Sequence, residues 1–395
     1  MFINLTNIDF CPGSGGGSAN LQEGKSVTYT TNGNYTINPD EGYDGLSSVG
    51  VTVNYDGTDY RNQTGTADFD GLRAIGWDET SIKYLSANAL HYSWENDIYK
   101  VTDGNKALNG VVNKDNVSSY SNDPNFIYCP YFDTAGMTSM GSMFSNINIL
   151  QGIPLLDTSS VTDMGSIFGN CYSLQNIPLL DTSSVTNMAS MFYSCSSLKS
   201  IPLLNTSNVT RMERMFYGCN LLQSIPQLDT SKVTNMESMF ANDESLLYIP
   251  QLDTSNVTNM DSMFSYCKKI RTIPPLDTSK VTDMSFMFTS CFALQYIPQL
   301  DMSSVNTTGS MFWYCSSLSY IRLKGSLNTS LSLTESSELD YDSVKSILTA
   351  ASNTTNTNSK TLSFNSTLTD QNGELAALVS TCTSKGWTIN GLTLS

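Results

Sequence analysis

Residues 181–204, DTSSVTNMASMFYSCSSLKSIPLL, decide the fold, because their pattern returns every 24 residues. Aligned on Asp133, Asp157, Asp181, Asn205, Asp229, Asp253, Asp277 and Asp301, eight units run from 133 to 324 with no change of length. Within the quoted unit Val185, Met188, Met191, Phe192 and Cys195 fall at spacings of three and four, one face of a helical turn or two. Thr182, Ser183 and Thr186 precede or open that stretch, where hydroxyls can cap free backbone N–H groups. Leu198, Ile201 and Leu204 carry the chain on in extended form. Pro202, which recurs at 154, 178, 226, 250, 274 and 298, stops any helix from continuing. One such unit cannot bury its own apolar face, whereas units stacked in register bury a continuous one. The expected architecture is an α/β repeat solenoid with a parallel sheet on one side and short helices on the other.

Composition narrows the function. The 395 residues hold 20 Lys+Arg against 36 Asp+Glu, a net charge of −16, and only 14% are charged. An average soluble domain has roughly a quarter, so Ser, Thr, Asn and Gln must make the polar surface. A chain this acidic lacks the cationic footprint that meets nucleic-acid phosphates. A single histidine, His91, excludes any site built on two imidazoles, and no positioned nucleophile accompanies it. No run of 18 apolar residues exists to span a membrane. No catalytic residue, metal ligand or cofactor is expected.

Two ladders run along the repeats. Cys171, Cys195, Cys219, Cys267, Cys291 and Cys315 share one position, held by Ile147 in the first unit and Asp243 in the fifth. There is no CxxC pair, and Ile147 favours a small apolar core residue over metal or disulfide chemistry. Asp243 is expected to open the corner of its unit outward. The aspartates at 133, 157, 181, 229, 253, 277 and 301 form the second ladder. They read either as calcium ligands or as Asx-turns that accept N–H bonds from the turn each begins. Asn205 substitutes without disturbing its unit, and no Gly-x-Asp ligand set accompanies the column, which favours the turns.

The recurring DTSxVTxMxxMFxxCxxLxxIPxL, almost intact at 253–276, resembles the BspA-type leucine-rich repeats of bacterial surface proteins. The likeness covers about half of the chain. It implies a right-handed, leucine-rich-repeat-like solenoid used as an adhesive or spacing surface, without naming a ligand. The residue before the repeat Ile should point outward, since strand side chains alternate. That column contains Tyr248, Tyr296 and Tyr320, with Tyr266, Trp313 and Tyr314 at the nearby corner. These six are the candidate binding surface, because exposed aromatic rings on a rigid sheet stack on sugars or anchor proteins. Tyr320, near the end of the array, is the one expected to pack under a cap.

The flanks divide into an arm and Gly-rich linker (1–20), a small β module (21–62), an N-terminal cap (63–132) and a C-terminal cap (325–395). SVTYTT (26–31), YTIN (35–38) and VGVTVNY (49–55) read as strands. GLRAIGWDETSIKYL (71–85) reads as a short helical element. Helices at 341–351 and 374–387 alternate with strands at 361–364 and 388–394, an α/β C-terminal cap. The stretch around NGNYTINPDEGYDGLSSV resembles a β module of structural proteins from phages of gut bacteria. That likeness implies attachment to a particle through the N-terminal region.

The functional expectation is a non-enzymatic phage virion protein, a fibre or decoration protein of head or tail. Its partners would be other virion proteins and a host-surface glycan or protein. MFINLTNIDF carries neither a basic region nor an apolar run for export, so cytoplasmic synthesis and a virion location are expected. The alternative is a BspA-like adhesin on a bacterial surface. A homo-oligomer, a trimer included, is compatible with a fibre, although no coiled-coil heptads are present.

Overall fold

The computed structural model describes residues 114–122, 126, 129, 134–153, 156–356 and 358–395, and before them the backbone of eight short strands. The arm and linker at 1–20, the turn at 32–33 and the helical element expected at 71–85 lie outside the described residues. The chain gathers into two compact units, one of 1–137, 147–160 and 177–180, the other of 138–146, 161–176 and 181–395.

The first unit holds the N-terminal strands. They are β1 (Ser26–Tyr29), β2 (Asn34–Asn38), β3 (Ser48–Val49), β4 (Asn54–Tyr55), β5 (Thr58–Asp59), β6 (Thr64–Thr66), β7 (Leu90–Glu95) and β8 (Ile98–Asp103). An antiparallel sheet runs β3-β1-β2-β6, with Ser26 opposite Asn38 and Val27 opposite Val49. β1 and β2 coincide with the strands that period-two alternation predicts at 26–31 and 35–38. Hairpins join β4 to β5 and β7 to β8. Further on, a 3-10 helix at Val117–Asn122 buries Tyr120, whose ring stacks on Phe126 at 5.0 Å.

The second unit is a solenoid. Its coils run parallel, bridged at Ser139–Asp163, Asp163–Asn187, Asn187–Arg211 and onward to Asp283–Thr307. Extended pairing follows in β9 (Tyr296–Asp301) and β10 (Tyr320–Lys324), parallel with Tyr296 opposite Tyr320. The columns Val185, Met188, Met191, Phe192, Cys195, Leu198, Ile201 and Leu204 and their counterparts are buried in every coil from 181 to 300. Phe144, Phe168, Phe192, Phe216, Phe240, Phe264, Phe288 and Phe312 make one stack, with centroids 5.7–5.8 Å apart and planes within 12° of parallel. Offset aromatic pairs contribute about 0.5–1.5 kcal/mol each beyond the area they bury.

The stretch between the Met and Cys columns is a run of turns rather than a helix. In the third repeat Met191 donates to Met188 (3.1 Å), Tyr193 to Ser190 (3.0 Å) and Cys195 to Phe192 (3.0 Å). The intervening N–H groups of Met188, Ser190, Phe192 and Ser194 donate instead to Arg211, Glu213, Met215 and Tyr217 of the next coil. Ser190 and Ser194 make this alternation by taking left-handed backbone, φ +54° and +57°. A helix would direct every N–H along its own axis and leave nothing to join the coils, so stacking selects turns. The described α-helices lie in the C-terminal cap.

Hydroxyls supply what charge does not. Thr182, Thr230, Thr254 and Thr278 donate to the carbonyl 23 residues ahead at 2.8–3.1 Å. Thr186, Thr210, Thr258 and Thr282 donate to the carbonyl 24 residues behind at 3.1–3.2 Å. The described aspartates of the ladder make Asx-turns. Oδ1 of Asp181, Asp229, Asp253 and Asp277 accepts the N–H two residues on at 3.0 Å, and Asn205 does the same at 3.1 Å. Serine hydrogen bonds hold the carboxyls of Asp181, Asp229 and Asp277 below the usual aspartate range.

Each cysteine of the ladder is free and buried, and its Sγ donates to the phenylalanine carbonyl 27 residues earlier at 3.0–3.2 Å. Burial pushes the thiols of Cys195, Cys219, Cys267 and Cys291 well above their ordinary value and that of Cys315 up to about 12. Asp243 corrects the sequence reading. Far from opening its corner, it is 0% exposed in the same column. Its Oδ1 accepts the Cys219 N–H at 2.7 Å, and its Oδ2 has no hydrogen-bond partner. Coils fixed above and below hold the position inward whatever residue occupies it. Burial raises this carboxyl well above the usual range.

The cap closes the array through α1 (Tyr341–Ser352) and α2 (Glu374–Ser384), with a parallel sheet of β11 (Leu331–Ser332), β12 (Thr361–Leu368) and β13 (Thr388–Leu394). Asp340 caps α1 by accepting the Ser343 N–H at 2.7 Å. On β10, the N–H groups of Ile321 and Leu323 donate to Ser343 Oγ (3.0 Å) and Ser346 Oγ (3.2 Å) of α1. The helix thereby occupies the edge where another coil would pair. Gly391 takes φ +68°, and a Cβ there would stand 1.9 Å from the Phe364 carbonyl oxygen. Gly391→Ala is expected to destabilise the cap by at least about 2 kcal/mol. A urea midpoint equal to wild type would contradict it.

Candidate aromatic binding face

The six sequence candidates fall into two stacked pairs, with Tyr248 and Tyr266 apart from them. On the strand side, Tyr296 stacks on Tyr320 at 4.2 Å with planes 15° apart. The Arg322 guanidinium lies 3.9 Å from the Tyr320 ring centroid. Arg322 is itself paired with Asp340 (3.2 Å) and Asp342 (3.4 Å), so its charge is largely answered and its plane serves as a lid on the ring. Tyr320 is accordingly half-buried, as its place near the cap suggests, while Tyr296 keeps an exposed ring. Tyr248 is more exposed still, and Thr272 separates it from Tyr296 in the column.

At the corner Trp313 stacks on Tyr314 at 4.6 Å, and Phe292 of the previous coil meets Tyr314 at 6.1 Å, tilted by 39°. Tyr266 occupies the Tyr314 position two coils earlier, with Ser290 between. Trp313, Tyr314, Phe292 and Tyr266 are 41–47% exposed, an unusual concentration for large aromatics.

The backbone under the corner rings is the telling feature. Tyr266, Phe286 and Tyr314 have φ of +62°, +56° and +60°, where the other coils use Ser, Asn, Gly or Arg. Bulky side chains in the left-handed region cost roughly 1–3 kcal/mol each, and such residues concentrate where strain serves a function. Nothing in the core needs a ring at these places, since the side chains face solvent.

Phe286, Phe292 and Arg322 escape a reading of the outward strand column alone. A position-by-position comparison with the template finds the first two. Position 292 is otherwise Asn148, Tyr172, Ser196, Asn220, Glu244, Lys268 or Ser316, and position 286 is otherwise Ser or Arg214. Among the described residues no group of three or more His, Cys, Asp or Glu is arranged to hold a metal ion. No helix among them is long and apolar enough to cross a membrane.

A family model described as "Mycoplasma protein of unknown function, DUF285" matches residues 115–224, 138–248, 196–289 and 219–325, together just over half of the chain. No curated protein matches. Among solved structures the chain is similar to a leucine-rich-repeat protein of T. pallidum, TpLRR, at 14% identity over 56% of this chain and 81% of that one, with a TM-score of 0.26.

Proposed function

This chain belongs to the DUF285 family of mycoplasma proteins of unknown function, and from that premise we propose that it is a non-enzymatic scaffold whose solenoid presents an aromatic binding face. The observation that carries this reading is the placing of Tyr266, Phe286 and Tyr314 on exposed left-handed backbone. Rings held there by a rigid stack lose little freedom when a partner covers them, which favours binding. The inert, buried thiols and the aspartates consumed by Asx-turns support presentation rather than chemistry.

The setting we propose is a phage virion, as a fibre or decoration protein of head or tail. The N-terminal region would attach to other virion proteins and the solenoid would face the host surface. The resemblance at residues 24–54 supports this, as does the acidic, hydroxyl-rich surface, which keeps crowded copies mutually repelling. A homo-oligomer, trimeric as in many fibres, fits the same role. The second reading, an adhesin on a bacterial surface, is favoured by a family described from cells rather than viruses.

Mass spectrometry of purified particles separates the two readings, since a virion protein is recovered with capsid and tail components and an adhesin with the cell envelope. Tyr296→Ala combined with Trp313→Ala should lower attachment to the host at least about tenfold while leaving the melting temperature near wild type. Unchanged attachment would remove the aromatic face from the function.

A further inference from the structure

We infer that the face spanning residues 266–272, 290–296 and 313–322 binds an acidic polysaccharide, one carrying uronic, sialic or sulfated units. The inference rests on the presentation reading above and names the ligand class of the same face.

The first ground is charge. In a chain of net charge −16, Lys268, Lys269 and Arg271 put three cations into four residues, the densest basic run in the repeat array. Lys268 pairs with Glu244 at 2.7 Å. Lys269 and Arg271 are exposed and make no ion pair among the described residues. The Arg271 carbonyl accepts the N–H groups of Gln295 (2.9 Å) and Tyr296 (3.2 Å), so this cation stands one coil from the Tyr296–Tyr320 stack. A guanidinium one coil from an exposed ring gives a carboxylate or sulfate its partner, while the ring face not stacked on Tyr320 receives a flat C–H face.

The second ground is repetition. Arg271, Gln295 and Ser319 form one column and Thr272, Tyr296 and Tyr320 the next, joined by N–H bonds from Ser319 and Tyr320 to the Gln295 carbonyl at 3.1 Å. Polar groups thus recur at the coil spacing, with a ring in two of these three coils. A polymer of identical sugar units offers one flat face and one acidic group per unit and meets such a surface in step. An extended acidic peptide presents same-face side chains every ~6.6 Å, out of step with coils stacked at ~4.8 Å. Its side chains would also need pockets, where this face offers columns of rings.

The test uses the full chain with polygalacturonate, polysialic acid and chondroitin sulfate, against dextran as a neutral polymer and poly-glutamate as an acidic peptide. Binding is followed by calorimetry at 50 and 500 mM salt, concentrations chosen for their contrast in screening. At least one acidic polysaccharide should bind about tenfold or more tightly than dextran, and less tightly at high salt. Lys269→Gln with Arg271→Gln should weaken it about tenfold. Tyr296→Ser with Tyr314→Asn, both residues that other coils use at these positions, should do the same without lowering the melting temperature. Equal affinity for dextran, equal affinity of the variants, or binding of poly-glutamate alone would each overturn the inference. Lost host attachment in the ring variants without polysaccharide binding rejects the ligand class and leaves the presentation reading standing. Polysaccharide binding with unchanged attachment does the reverse.

Discussion

Asp243→Cys should make the protein more stable at neutral pH, by about 1–3 kcal/mol, the cost of a buried polar atom left without a partner. The substitution restores the residue used by six other coils. It removes the orphaned Oδ2 and supplies a thiol which, by the 27-residue offset of the ladder, donates to the Phe216 carbonyl. The wild-type carboxyl also sets a pH dependence. Its folded pKa is raised above the unfolded value of about 4, so its contribution is most favourable below that value and is lost as pH rises toward the folded pKa. Within that window the slope is up to about 1.4 kcal/mol per pH unit, with acid the stabilising direction. The Asx-turn carboxyls act with the opposite sign. Their lowered pKa values contribute stability above about pH 4 that is lost as pH falls through the folded values. Urea midpoints should therefore rise from pH 7 toward pH 5 in the wild type and stay level in Asp243→Cys and in Asp243→Asn, which keeps the acceptor for the Cys219 N–H. A variant that retains the wild-type slope would show that another group produces it.

Phe240→Ala should have the largest destabilising effect of a single truncation in the array, about 3–5 kcal/mol. The ring is fully buried between Phe216 and Phe264, each 5.7 Å away, so its removal leaves a void and breaks two stacked pairs together. The consequence also depends on position. In a linear array each coil is stabilised only by its neighbours, so a defect at the fifth coil weakens the coupling between the two halves. Urea unfolding should become broader or split into two transitions, whereas Phe312→Ala, at the end of the stack, should leave it single. Phe240→Leu, nearer in volume, should cost less than the alanine. A shift below 1 kcal/mol for the alanine, on the order of an ordinary surface substitution, would contradict the column as the source of stability.

Much of the architecture was legible because the repeat wrote it eight times. Any column that is Val, Met, Phe or Leu in every copy has to face inward, and Thr182 and Asp181 announce their turns by residue type. The path between Met188 and Cys195 was not legible from apolar spacing, because intervals of three and four suit a helix and a run of turns equally. The discriminating residues were the ones between, Ser and Asn at the two left-handed places, with Gly218 the plainest of them. Asp243 was misread for a related reason. Judged alone, an aspartate belongs in water, but its orientation is set by coils that cannot rotate to suit one side chain. The candidate aromatic face was half legible. Tyr296, Tyr320, Trp313 and Tyr314 stand out from an outward column, while Phe286 and Phe292 emerge only as departures from what the other copies carry.

The serines of α1 that take the free N–H groups of β10 sit beyond the last repeat, and among the described residues no bond of an interior coil reaches further than its immediate neighbours. Array length is therefore free to drift over generations. Nearly identical units invite unequal recombination, and gaining or losing one 24-residue unit leaves every remaining junction of the same kind. Such an event would shift the aromatic face by one coil, ~4.8 Å, without redesigning either end. Natural relatives should thus differ in whole units far more readily than by one or two residues, and reach toward a partner becomes a trait that evolves by counting.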